Sequence, residues 1–192
     1  FDLNLINKTY LWKIKIKKEA KLGKNVTLTG MMGVGKSTVG KSLSERLNMQ
    51  FIDVDNLIES EENMSIRNIF EKKGEKYFRN VEKNLSLKSI KTQNAVISLG
   101  GGSFVDTSVR EAINQTSLSF WLDLDIPNLA KRLANSKKRP LINGKNLEET
   151  LGHIFKKREN IYKLANFKID CNKKDKSIIL DEIINFYEAK CN

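Results

Sequence analysis

The chain has 192 residues, 40% of them hydrophobic and 30% charged, which suits one domain with a proper buried core. It carries a formal charge of +11, a single histidine and two cysteines, a set from which neither a disulfide framework nor a zinc site can be built. No apolar run reaches the length of a membrane span and no secretory signal is legible, so the composition predicts a soluble, cytoplasmic protein with no membrane partner.

Residues 1–25 hold seven lysines against Asp2 and Glu19, and so supply +5 of the +11. Their partial alternation, Trp12-Lys13-Ile14-Lys15-Ile16-Lys17, is compatible with an edge strand, a helix or a mobile arm. This segment is read as an N-terminal extension without an assigned role. The other 167 residues carry the remaining +6, part of which suits a site for anionic ligands. No platform of interleaved aromatic and basic residues stands out, so nucleic acid is not expected as a partner.

The domain proper is read over residues 26–192. A first strand at 26–29 runs directly into Gly30-Met31-Met32-Gly33-Val34-Gly35-Lys36-Ser37, and a helix follows over 37–47. Strand, G-x-x-x-x-G-K-S and helix together form the phosphate-binding loop, whose glycines let backbone N–H groups wrap phosphate oxygens. Lys36 is placed to reach the β- and γ-phosphates, and the Ser37 hydroxyl to ligate Mg²⁺. The helix turns its positive end toward the same anion.

A second strand is expected at 51–55, with Asp53 and Asp55 on one side of it, facing the crevice at the strand's carboxyl end. A merely polar strand exit is the plain alternative. Helices follow at 56–62, 65–73 and 75–89, and on the last of these Arg79 and Glu82 share a face, as a surface ion pair would. The run 95–99 reads as a buried parallel strand ending in Gly100-Gly101-Gly102. Three glycines weaken local packing, so something is expected to approach the bare backbone there.

A helix at 107–115 leads to a fourth strand at 117–122 and a helix at 127–135. Residues 136–146, with Lys137, Lys138 and Arg139, form a polar stretch read as a lid that brings positive charge to a transferring phosphoryl group. A solvated loop is the alternative. A helix at 147–164 carries Arg158 and Tyr162 four residues apart, a fifth strand spans 167–171, and a helix at 176–189 closes the chain. The alternation predicts a single α/β domain with a mostly parallel sheet.

These motifs in this order resemble the shikimate kinases, small P-loop kinases related to nucleoside monophosphate kinases. The resemblance spans about residues 26–171 and rests on six stretches: 30–38, F-I-D-V-D at 51–55, G-E-K-Y-F-R-N-V-E at 74–82, G-G-G at 100–102, R-P-L at 139–141 and R-E-N-I-Y-K-L-A at 158–165. It implies a five-stranded parallel sheet ordered 2-3-1-4-5, a mobile lid and a monomer. It also implies ATP-dependent phosphorylation of shikimate at its 3-hydroxyl, with Mg²⁺, on the way to chorismate.

Carried over by position, the resemblance gives ATP to Gly33, Val34, Gly35, Lys36, Ser37 and Thr38, with Arg139 meeting the phosphates and Arg132 near adenine. It gives Mg²⁺ to Ser37 and Asp53. Arg79 and Arg158 become a carboxylate clamp, Gly101 offers its backbone N–H between Gly100 and Gly102, and Glu82 orients Arg79. Asp55 accepts hydrogen bonds from the substrate hydroxyls. The catalytic set is then Lys36, Asp55 and Arg139. Two departures stand out, the long lead-in before the first strand and Leu99 where a threonine often precedes the triplet. The rival readings are a kinase of another small hydroxylated substrate, such as gluconate or a nucleotide, and an idle P-loop protein binding nucleic acid through its lysines.

Overall fold

The structure is a computed structural model, and it describes residues 23–134 and 146–191. Five strands form one parallel sheet: β1 (Asn25–Thr29), β2 (Gln50–Asp53), β3 (Ala95–Ser98), β4 (Ser117–Asp123) and β5 (Phe167–Asp170), ordered β2-β3-β1-β4-β5. Register is tight around the centre, with Leu28 of β1 opposite Ser98 of β3 on one side and Phe120 of β4 on the other. β1 and β3 are buried at every position, as strands covered on both faces must be. The expected sheet order is the observed one.

Among the described residues seven helices surround the sheet: α1 (Lys36–Leu47), α2 (Val54–Glu62), α3 (Ile66–Ile90), α4 (Thr107–Thr116), α5 (Ile126–Leu133), α6 (Leu147–Tyr162) and α7 (Lys176–Cys191). Helix α1 packs on α7, α3 on α2 and α4, and α5 on α6. Their apolar stripes close one core over the sheet, including Leu43, Ile58, Phe78, Leu85, Ile113 and Ile183. Among the described residues no helix is long and apolar enough to cross a membrane.

The two expected helices 65–73 and 75–89 are the two halves of α3, which meet at a break at Gly74, whose φ of 81° and ψ of 169° no helix contains. The expected strand 51–55 is corrected. β2 ends at Asp53, which caps α2 by accepting the Asn56 N–H at 3.2 Å, so Asp55 lies in the first helical turn rather than on the strand. The physical reason is local: an aspartate with free backbone donors just ahead starts a helix more readily than it prolongs a strand. Other element ends fall within two residues of expectation. A short 3₁₀ turn, Ser103–Val105, follows the glycine triplet, where the sequence pattern gives no element.

Candidate active site

The site forms at the carboxyl ends of the strands, where β1, β2 and β3 run out into the phosphate loop, the Asp53 cap and the glycine triplet. In the loop, Gly30, Gly33 and Gly35 all have positive φ, 132°, 80° and 105°, which an L side chain rarely adopts. Gly35 is the N-cap of α1 and supplies no side-chain acceptor, and the first turn holds no acidic residue. The positive N-terminal end of α1 is therefore not met by a side-chain carboxylate of its own first turn, and it favours an anion at the loop. Lys36 is 92% buried, with its ammonium donating to the carbonyls of Gly30 at 2.9 Å and Met31 at 3.0 Å. Ser37 and Thr38 are exposed beside it and Val34 is buried beneath. Arg132, from α5, donates to the Val34 carbonyl at 2.9 Å, so its guanidinium rests on the loop.

The glycine triplet is where the second half of the site converges. A Cβ on Gly100 would run into the Glu82 carboxylate and would stand 3.0 Å from Asp55 Oδ1 and 3.1 Å from Ser103 Oγ. A Cβ on Gly102 would run into the Arg79 guanidinium. On Gly101 it would lie 3.4 Å from the Met32 nitrogen and 3.7 Å from both the Gly30 carbonyl oxygen and Arg158. The bare backbone is needed because two carboxylates, two guanidiniums and the phosphate loop all close on it.

Arg79 projects from α3 and donates to Glu82 at 2.6 Å and to Glu75 at 3.2 Å. Glu82 is 97% buried, so this is an interior pair and not the surface ion pair of the sequence reading. Burial by itself would lower the Arg79 pKa. The Glu82 charge and its hydrogen bond, joined by Glu75, outweigh that and raise it. Arg158, from α6, donates to the Gly101 carbonyl at 2.9 Å, and Tyr162 donates to the same oxygen at 2.6 Å. Beside this clamp opens a cavity of about 430 Å³ bounded by Glu75, Thr150, His153, Ile154, Lys157 and Arg158.

The predicted residues therefore divide cleanly. Gly33, Val34, Gly35, Lys36, Ser37, Thr38 and Arg132 gather at the phosphate loop, and Asp55, Arg79, Glu82, Gly100, Gly101, Gly102 and Arg158 at the triplet. Asp53 stands at the end of β2, opposite Ser98 of β3, two residues before the triplet. Arg139 and the lid stretch, apart from its last residue Asn146, which caps α6, lie outside the described residues. Sequence reasoning missed Tyr162 and Glu75 as members. Both carried a helical signal, one turn from Arg158 and Arg79 respectively.

A loop that cradles phosphate, a helix N-terminus behind it and a parallel sheet ordered 2-3-1-4-5 define a P-loop kinase of the nucleoside-monophosphate-kinase type. The guanidiniums of Arg79 and Arg158 stand at the triplet, one paired with Glu82 and the other with the Gly101 carbonyl. The chain belongs to the shikimate kinase family: the family model "Shikimate kinase" matches residues 32–188. It is 42% identical over 161 residues to the shikimate kinase of Sulfurihydrogenibium sp. (strain YO3AOP1), covering 84% of this chain and 96% of that one. Identity to the shikimate kinase of Persephonella marina is 38%, over 84% and 97% of the two chains. The structure superposes on shikimate kinase from Acinetobacter baumannii in complex with shikimate with a TM-score of 0.86 at 30% identity, covering 90% of this chain and 97% of the other.

Proposed function

We infer that this chain transfers the γ-phosphoryl group of ATP to the 3-hydroxyl of shikimate, giving shikimate 3-phosphate on the way to chorismate. The observation that carries this reading is the placement of Arg79 and Arg158 at a glycine triplet packed so near the phosphate loop that a Cβ on Gly101 would meet Met32 and Gly30. A carboxylate held by two guanidiniums there lies beside the phosphates, and a planar, bidentate donor is the natural partner for it.

In this reading the loop N–H groups and Lys36 hold the β- and γ-phosphates, and Arg132 braces the loop from the side of the nucleotide base. Asp55 orients the attacking hydroxyl and accepts its proton. Because phosphoryl transfer has little covalent demand, positioning outweighs the basicity of Asp55. Arg139 of the lid, residues 136–146, is assigned to the phosphates on the sequence pattern alone. Residues 26–192 would then be the catalytic unit, working as a monomer in the cytoplasm, where ATP is available, with residues 1–25 outside it and neither nucleic acid nor membrane as a partner.

The donors present suit Mg²⁺. Among the described residues no cluster of three or more His, Cys, Asp or Glu side chains forms a cage, while Ser37 supplies a hydroxyl at the loop and Asp53 a buried carboxylate at the end of β2. Mg²⁺ is commonly bound by one or two protein oxygens together with substrate phosphates and water. When bound it would neutralise charge on the phosphoryl oxygens. Ser37 would ligate it, and Asp53, already fixed by its capping bond to Asn56, would hold it through water.

The test is steady-state kinetics of Arg79→Ala. The clamp reading expects the KM for shikimate to rise about 100-fold, the loss of a charged, part-buried contact, with the KM for ATP little changed. An unchanged dependence on shikimate would overturn the clamp.

A further inference from the structure

Tyr162 ends α6 one turn after Arg158, so both side chains leave the same face of that helix. Its side chain is fully buried, with its ring against Trp121 at a centroid distance of 5.9 Å. A buried tyrosine needs a partner for its hydroxyl, and many carbonyls could serve. The one it takes is the Gly101 carbonyl, at 2.6 Å, the oxygen to which Arg158 also donates.

That choice has geometric consequences. A peptide unit is planar, so fixing the Gly101 carbonyl also fixes the Gly102 N–H, which points the opposite way. The preceding unit is held as well, because the Gly100 carbonyl accepts the Ser103 N–H at 3.1 Å. Both peptides flanking Gly101 are thus locked, in a run whose residues have no side chains of their own to anchor them. The same contact sets the point on which the Arg158 guanidinium rests, and with one donor anchored the plane of the remaining four is constrained.

We propose that Tyr162 is a positioning residue for the acidic substrate: by holding the Gly101 carbonyl it presets the triplet backbone and the Arg158 guanidinium for the carboxylate. The proposal rests on the clamp reading given above. Ordering these groups in advance removes a cost that binding would otherwise bear, and this saving falls on substrate affinity rather than on the chemical step. Burial pushes the Tyr162 pKa up, against the opposing charge of Arg158, so the hydroxyl keeps its proton and donates throughout the neutral range. Its other neighbour, Met31 Sδ at 4.0 Å, is a side chain and not the loop backbone, so the phosphates are expected to be unaffected.

Tyr162→Phe keeps the ring and removes only the hydroxyl. The expected result is a KM for shikimate raised about fivefold, the worth of one hydrogen bond, with kcat and the KM for ATP within about twofold of the parent. Arg158→Lys and the double variant complete a cycle. Because both groups act on one oxygen, the double variant should raise KM by less than the product of the single effects. Arg79→Ala, measured alongside, separates the two readings. A KM unchanged by Tyr162→Phe but raised by Arg79→Ala overturns the role of Tyr162 and leaves the clamp intact, whereas a KM unchanged by both overturns the clamp. Equal losses for both substrates, or a lower melting temperature with unaltered KM, would make Tyr162 a packing residue only. If Tyr162→Phe does not fold, a fluorotyrosine of lowered hydroxyl pKa placed at position 162 replaces it. A KM for shikimate that rises as that hydroxyl loses its proton, with the KM for ATP unchanged, supports the donation to the Gly101 carbonyl, and a KM that stays flat across that titration overturns it.

Discussion

Arg79 stands between two carboxylates of unequal burial, Glu82 within the core and Glu75 at the surface. The interior pair fixes the guanidinium, while the exposed one adds little beyond direction. Arg79→Lys keeps the charge but cannot donate in parallel to a planar anion while bonded to Glu82. It should raise the KM for shikimate about tenfold and leave the KM for ATP alone, as kinetics over both substrates would show. Gly102→Ala would drive a methyl group into the guanidinium and should weaken shikimate binding by about 100-fold, as a displacement of about 1 Å can. Wild-type kinetics in that variant would mean that Arg79 is not set by this contact. The pairing of Arg79 with Glu82 is legible from their spacing of three, but the burial of Glu82 is not, since helical period does not reveal which polar side chain turns inward. Tyr162 shows the same limit. Its place one turn from Arg158 is visible in the sequence, and the carbonyl that both share comes from a segment about 60 positions away.

At the scale of elements, the phosphate loop was readable because its chemistry is local: strand, loop and helix are contiguous, and each glycine meets a backbone requirement that sequence alone can express. The Asp53 and Asp55 pair was misplaced because two plausible local rules compete there, strand alternation and helix capping, and the bond from the Asn56 N–H decides for the cap. Helix α3 offers a sharper case. Gly74 adopts φ 81° and ψ 169°, a region essentially restricted to glycine, yet a Cβ there would touch nothing within 4 Å. Gly74→Ala should therefore cost about 1–3 kcal/mol from backbone strain alone, read as a lower urea midpoint with an unchanged m-value. Equal or greater stability would mean that the helix runs straight through this point. Just across the break, Lys73 and Tyr77 both bond Glu62, at 2.6 and 2.9 Å, and tie the two halves of α3 to the end of α2.

For the whole molecule, the order of strands could not be derived from hydrophobic period, because crossover connections leave no mark on the strands themselves. It came with the family resemblance, and the observed sheet agrees. Cys171 belongs to the enclosed core at the end of β5, where burial pushes its thiol up from about 9 to about 12. The neutral thiol is thus the folded form, and its contribution to stability is complete below pH 9 and is lost as pH rises from there toward 12. At pH 8 iodoacetamide should modify Cys191, which is half-buried, and reach Cys171 only after unfolding, as peptide mapping would show. Rapid alkylation of Cys171 in the native protein would contradict the burial of that side chain.

The central claim is tested most directly by ADP release from Mg-ATP in the presence of shikimate, gluconate or a panel of nucleoside monophosphates, with Lys36→Ala beside the parent chain. The account predicts turnover that depends on shikimate and disappears in Lys36→Ala. Turnover with a nucleotide or gluconate but not with shikimate, or shikimate turnover that survives loss of the Lys36 ammonium, would contradict it.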